Sequence, residues 1–363
     1  MKAQDFLVEI GTEELPPKAL KALIKSFAAT LYNEIDAAGL TYERTASQIF
    51  ASPRRLAVRI VHLSAVQPDR LIEKAGPFVS HAFTADGAPT QAAVGFAKSN
   101  GVALEDLLRV GTEKGDRLMF RSQEKGLAAV ELLPAMIEKA LHELPTPKRM
   151  RWGTKRAEFV RPVHWLVMLY GTEVVECSLM GQRAGRVTRG HRFHSGDKWL
   201  EIASPDAYQR LLRDHKVEVC FKLRREKIVA QVEQCALECH GKAVIDRELL
   251  DEVTALVEWP VALAGKFEAR FLDVPQEALI SSMSEHQKYF HVVDDQGGLL
   301  PCFITVANIE SQDPARVIDG NERVIRPRLT DAAFFYQTDL KVNLAVRREQ
   351  LKTIIFQSQL GTL

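Results

Sequence analysis

The sequence predicts an α+β fold with mixed or antiparallel sheets, packed helices and a helical C-terminal end. Three observations carry this. The chain opens β-α-β; a run of helical patterns follows Ser204; and an antiparallel hairpin pattern lies near residue 300. In order, Phe6–Ile10 reads as a strand that Gly11 ends. Leu20, Leu23, Ile24, Phe27, Leu31 and Ile35 recur at helical spacing, and Gly39 closes that helix. Leu56, Val58 and Ile60 alternate with Arg55, Ala57 and Arg59, a second strand. A Gly- and Pro-bearing loop from Ala75 to Pro89 leads to a short helix at Gln91–Ser99. A turn at Glu113–Asp116 precedes a strand at Arg117–Ser122, and a helix toward His142 is started or kinked by Pro134.

Leu144–Gly153 carries two prolines and marks a boundary. The expected division is 1–147, an α+β domain; 148–312, a basic α+β domain; and 313–363, a helical start of a further region. Val163–Tyr170 is an apolar run suited to a buried strand, with Val174–Met180 positioned to pair with it across Gly171-Thr172. Ser204-Pro205-Asp206 has the cap, proline and acid of a helix entrance. Helices are expected at 205–214, 221–239 and 247–258. Tyr289–Val293 and Leu300–Ala307 form a hairpin about the turn 294–298. The last fifty residues read as helical, with an entrance at Pro327, aromatics at Phe334–Tyr336 and an uncapped helical stretch from Ile354 to Leu363.

The chain has 363 residues, 46% hydrophobic and 26% charged. That composition excludes a disordered chain, and no apolar run approaches the roughly 20 residues of a membrane span. The N-terminus meets Asp5 and Glu9 before an apolar segment develops, so it does not read as a signal peptide, and a cytoplasmic location is expected. The five cysteines are odd in number and unpatterned, as free thiols in a reducing compartment would be. Cys235, Cys239 and His240 lack the second ligand pair of a zinc site.

Net charge is +1, but Lys148–His194 holds ten Lys or Arg against three acids. Within it, Thr188–Ser195 is either an exposed basic turn or a phosphate contact in which Arg forks a phosphate and His or Phe stacks on an unpaired base. Its two histidines lack nearby acids for a metal site. Lys148–Gly153 presents the same choice, RNA contact or a solvated linker with Trp152 buried. Ser52-Pro53-Arg54-Arg55 reads as a charged strand edge. Glu9, Glu13 and Glu14 precede the Pro16-Pro17 helix entrance and read as architecture, leaving a partner or RNA-hydroxyl contact as the alternative. Local signatures of acyl transfer, phosphate-cradling loops, dinucleotide binding and zinc proteolysis are lacking, and Ser284–Phe290 spreads its polar groups in different directions. No catalytic and no metal-binding residue is assigned.

Phe6–Pro17, Ser52–Leu56, Met150–Gly153, Phe159–His164, Arg189–Phe193, Val257–Pro260, Gln287–Phe290, Val306–Glu310 and Gly320–Leu329 occur in that order. The series resembles the β subunit of the bacterial two-subunit glycyl-tRNA synthetase. The resemblance implies an α2β2 heterotetramer in which the α subunit carries the class II core and uses ATP with Mg2+, while the β subunit binds tRNA(Gly). It implies no cofactor on this chain. The family's β subunit is longer, so its HD-type and anticodon-binding regions are not assigned here. The expected RNA contacts are Arg149, Arg151, Arg186, Arg189, His191 and Arg192. Two other readings stand beside this one: a stand-alone RNA-binding or scaffolding module, and the recognition half of an HD-type phosphohydrolase.

Overall fold

The computed structural model describes residues 2–84, 86–146, 148–154, 157–357 and 361–362. The fold is α+β, in two compact units interleaved along the chain. The first takes residues up to 6, 29–47 and 60–143, and the second takes 7–28, 48–59 and everything from Leu144. The grouping is therefore not one of consecutive segments. Segments 7–28 and 48–59 join the later part because their strands share a sheet with Val163–Tyr170.

The first unit is built on an antiparallel sheet in the order Arg70–Phe78, Gly115–Glu124, Leu108–Thr112. Residues 75–78, expected in a loop, extend the first of these strands, and a short helix, Val79–Ala82, follows. Leu118 of the central strand packs with Ala82, Ala93, Ala97 and Leu107, so the Gln91–Ser99 helix covers one sheet face. Gly39 has φ +74° and lets Leu40 N–H reach back to Ile35 C=O at 3.1 Å, a six-to-one closure of the preceding helix. Pro134 sits inside the Ala129–His142 helix, neither starting it nor preventing it.

Most residues of a seven-stranded mixed sheet fall in the second unit. Its order is Ser178–Leu179, Gln182–Gly185, Val163–Tyr170, β1 (Gln4–Thr12), β3 (Arg55–Leu63), β2 (Glu43–Ser52), with Glu173–Val174 pairing beside Val163–Tyr170. Of the expected partner segment Val174–Met180, Val174 pairs there beside Glu173, and Val175 N–H donates to Met168 C=O at 3.0 Å. β1 runs through Gly11 instead of ending at it. The reason is steric: a Cβ at Gly11 would lie 1.8 Å from Trp165 Cε2, so glycine is present to admit the indole. Leu7, Phe50, Ala57, Trp165, Val167 and Leu169 form a core with Tyr208 and Leu212 of the helix after Pro205. β3 is buried on both faces through Val58, since Arg55 and Ala57 are as enclosed as Leu56 and Val58.

A four-stranded antiparallel sheet completes this unit: Lys242–Ala243, Phe290–Val293, Leu299–Ala307, Val261–Lys266. The expected hairpin is present, its turn held by Asp294 Oδ1, which accepts from Gln296 N and Gly298 N at 2.8 Å. Helices Phe221–Glu238 and Arg247–Leu256 contribute Ile228, Val232, Leu250 and Val253 to one core with this sheet, while Ile325 and Leu329 enter another with Phe303. Cys302 is buried in the former, where burial, ahead of the neighbouring Cys239, pushes its thiol up to about 12. The long C-terminal helix starts at Pro314, not Pro327. Asp313 caps it by accepting from Arg316 N at 3.4 Å, and Pro327 lies within it. The stretch expected to be helical from Ile354 instead places Ile355–Gln357 in a strand, and its residues 358–360 and 363 lie outside the described residues.

Candidate nucleic-acid interface

Strand alternation in the second unit sorts the polar motifs into a buried layer and an open one. On Val187–Arg189, paired antiparallel with Trp199–Glu201, Thr188 points inward and is fully buried. Arg189, opposite Trp199, lays its guanidinium 4.0 Å from the centre of that indole.

The buried layer is an ionic network assembled from distant segments. Glu9 Oε1 accepts from Trp165 Nε1 at 2.6 Å and from Thr188 Oγ1 at 2.7 Å, and lies 3.6 Å from an Arg55 nitrogen. A second Arg55 nitrogen lies 3.4 Å from Glu258 Oε1, which also accepts from Ser52 Oγ at 2.6 Å. Burial alone would lower the Arg55 pKa, but the charges of Glu258 and Glu9 outweigh it and move it up. Tyr208, enclosed beside them, is held well above its ordinary range by burial and by Glu9, so its hydroxyl keeps its proton. Arg224, also fully buried, donates to the carbonyls of Thr254, Glu218 and Ala51, and burial lowers it to about 10.

Asn308 extends this layer. Its Oδ1 accepts from Glu258 N at 2.7 Å and Trp259 N at 3.1 Å, holding the segment that leaves the 247–256 helix two residues before its expected end. The same oxygen lies 3.3 Å from His191 Nε2, while His191 Nδ1 lies 3.2 Å from Phe193 N and 3.3 Å from His194 N. Those backbone donors require a proton-free Nδ1, so Nε2 carries the ring proton and donates to Asn308. Gly190 is needed here because a Cβ would lie 2.4 Å from Ser195 Oγ. The 188–195 turn is thus fixed from inside.

The open layer is a cleft of about 340 Å³ whose lining includes Arg54, His164, Trp165, Arg189, Arg192 and Trp199. Trp165 and Trp199 meet edge to face, with ring centres 6.2 Å apart. Glu13 also faces the cleft. Its Oε2 accepts from Arg192 at 2.8 Å and its Oε1 lies 3.1 Å from His164 Nε2. Burial pushes the Glu13 carboxyl up, but Arg192, followed by Arg54 and His164, more than offsets this and leaves it below its ordinary value. A larger cleft of about 820 Å³ is lined by Lys21, Asp251, Glu252, His286 and Lys288 among others. Its charges are largely matched internally, Lys21 to Asp251 at 2.7 Å and Lys288 to Glu252 at 3.1 Å.

Of the six expected RNA contacts, Arg189 and Arg192 come together in the smaller cleft. Arg186 is partly buried and lies 3.6 Å from Glu201, Arg151 is exposed and paired with Glu158, and Arg149 is partly buried. His191 is 1% exposed, so its place is in the support of the turn and not on the surface. Ser52-Pro53-Arg54-Arg55 is no charged edge: Ser52 and Arg55 are buried in the network, and Arg54 borders the cleft with its guanidinium 5.8 Å from the Trp165 ring centre. The countercharges Glu9 and Glu258, which sequence spacing does not connect to Arg55, make that burial possible. Lys155 and Arg156, part of the basic count, lie outside the described residues. Among the described residues, no group of three or more His, Cys, Asp or Glu is placed to hold a metal, and no helix is long and apolar enough to cross a membrane.

Fold and site together define an α+β protein with an arginine- and tryptophan-lined cleft set on a buried ionic scaffold. The family described as "Glycyl-tRNA synthetase beta subunit" matches residues 6–363. The glycine–tRNA ligase beta subunits of Marinobacter nauticus and Hahella chejuensis are 55% and 54% identical to the chain over its whole length, and that of Azotobacter vinelandii is 52% identical. The chain belongs to the glycyl-tRNA synthetase beta subunit family. It spans about half the length of these relatives, 52% in each case.

Proposed function

We propose that this chain is the tRNA-positioning part of a glycine–tRNA ligase, cytoplasmic and acting without catalytic residues of its own. In this reading it works in an α2β2 assembly whose α subunit binds ATP with Mg2+ and activates glycine. The observation that carries the reading is the cleft: Arg54, Arg189 and Arg192 beside two tryptophans, with the 188–195 turn held from beneath. Planar guanidinium groups bind phosphates in two-point fashion, and such contacts orient an RNA without reading its bases. Arg149, Arg151 and Arg186 extend the contact to flanking phosphates, and His191 keeps the turn in shape.

The test is binding of tRNA(Gly) to the full-length assembled enzyme at several salt concentrations. Arg189→Ala with Arg192→Ala should weaken binding and flatten the logarithmic salt dependence by about 0.7 to 0.9 per lost phosphate contact. Unchanged affinity and slope would remove these residues from the interface. Failure of the subunit to associate with an α subunit would reject the assembly itself.

A further inference from the structure

Three arginines line the smaller cleft, and the structure supplies partners for two of them. Arg192 donates to Glu13 at 2.8 Å, and Arg189 donates to the Asp197 carbonyl at 3.1 Å and lies 3.2 Å from its carboxylate. Arg54 differs. Among the described residues its side chain makes no hydrogen bond or ion pair within 4.0 Å, and its Nε is enclosed without an acceptor. Its guanidinium lies 5.8 Å from the centre of the Trp165 ring. A half-buried guanidinium without a hydrogen-bonded acceptor is an unfavourable arrangement, and an anion entering the cleft would relieve it. Burial, Arg192 and Arg55 all disfavour the charge on Arg54, and Glu258 and Glu13 only partly compensate.

The rest of the lining says what accompanies the anion. Trp199 is 47% exposed, so much of its indole is open to a ligand although Arg189 covers part of it. Both the indole and the stacked Arg189 plane suit the flat face of a base. At about 340 Å³ the cleft falls at the small end of the roughly 300–1,000 Å³ range of ligand sites, suited to one small unit and too small for a helix.

We infer that this cleft takes a single unpaired nucleotide of a bound RNA strand, its phosphate on Arg54 and its base against Trp199 and Arg189. The inference rests on the tRNA-positioning reading and deepens it by assigning the cleft to a single-stranded part of the RNA. Trp165, which lines the cleft, donates to Glu9 of the buried network at 2.6 Å.

The test uses the full-length assembled enzyme and a fluorescent single-stranded tetra-adenylate, with a blunt RNA duplex and ATP as competitors. Arg54→Gln should weaken tetra-adenylate binding about tenfold and reduce its salt slope by about 0.7, and Trp199→Ala should weaken it by a similar factor with the slope unchanged. The exposed Arg183, paired with Glu176 outside the cleft, serves as the control, and Arg183→Ala should leave binding as it is. The expected competition is by single strand and not by duplex. Equal competition by the duplex would overturn the assignment to an unpaired nucleotide, and competition by ATP alone would assign the cleft to a free nucleotide instead. Normal tRNA binding with no response to either cleft substitution rejects this inference alone. Absence of tRNA binding by the unsubstituted enzyme rejects the reading beneath it.

Discussion

Replacing Arg55 with methionine removes the cation between two buried carboxylates, Glu9 at 3.6 Å and Glu258 at 3.4 Å. Both acids keep neutral donors, Trp165 and Thr188 for Glu9 and Ser52 for Glu258, but neither keeps its closest countercharge. Taking one partner from a buried ion pair costs about 3–5 kcal/mol, most of it from the charge left behind. Glu9→Gln should cost less, about 1–2 kcal/mol, because the amide oxygen still accepts from Trp165 while Arg55 retains Glu258. The double variant leaves Glu258 without Arg55 but returns these three positions to the parent's net charge, and should fall short of the sum of the single losses by at least about 1 kcal/mol. Urea unfolding followed by tryptophan fluorescence and circular dichroism measures all three. A loss below about 1 kcal/mol for Arg55→Met, or strict additivity in the double variant, would refute the claim that these charges form one interdependent network.

Gly11→Ala should displace the Trp165 indole, since the new methyl would sit 1.8 Å from it, and should destabilise by about 1–3 kcal/mol or more; a near-UV circular dichroism spectrum identical to the parent's would contradict this. Asp251 is pushed up by burial but held below its ordinary value overall by Lys21 and Arg225. A carboxyl depressed in the folded state stabilises above its unfolded pKa and loses that contribution as pH falls through the folded one. Asp251→Asn should therefore cost up to about 1 kcal/mol at pH 7, with the difference from the parent closing below about pH 4. A difference independent of pH would show that the loss is one of packing.

The sheets were legible where their signals are local. Val163–Tyr170 shows as an unbroken apolar run, and the 294–298 turn carries its aspartate and glycines in sequence. The start at Pro314 was equally local, since Asp313-Pro314 repeats the cap-and-proline pattern of Ser204-Pro205, yet the later proline drew the boundary. The site was only half legible. The basic character of 148–194 is plain, but Arg192 finds its acid 179 residues away in Glu13, and Arg151, Arg183 and Arg186 are also paired, so a local count overstates the open charge. The charged-edge reading of Ser52-Pro53-Arg54-Arg55 fails at Arg55 for the same reason: β3 lies between β1 and β2 and meets carboxylates from residues 9 and 258. One usable signal was present. Glu9 stands alone within an otherwise apolar strand core, a position a carboxylate occupies only when its charge is met.

Positioning without chemistry is the central claim, and the two half-reactions of the assembled full-length enzyme separate its parts. With Arg189→Ala and Arg192→Ala together, ATP–pyrophosphate exchange in the presence of glycine should match the parent, while kcat/KM for transfer to tRNA(Gly) should fall by about tenfold or more. Loss of exchange in step with transfer would place these residues in the activation chemistry and contradict the account.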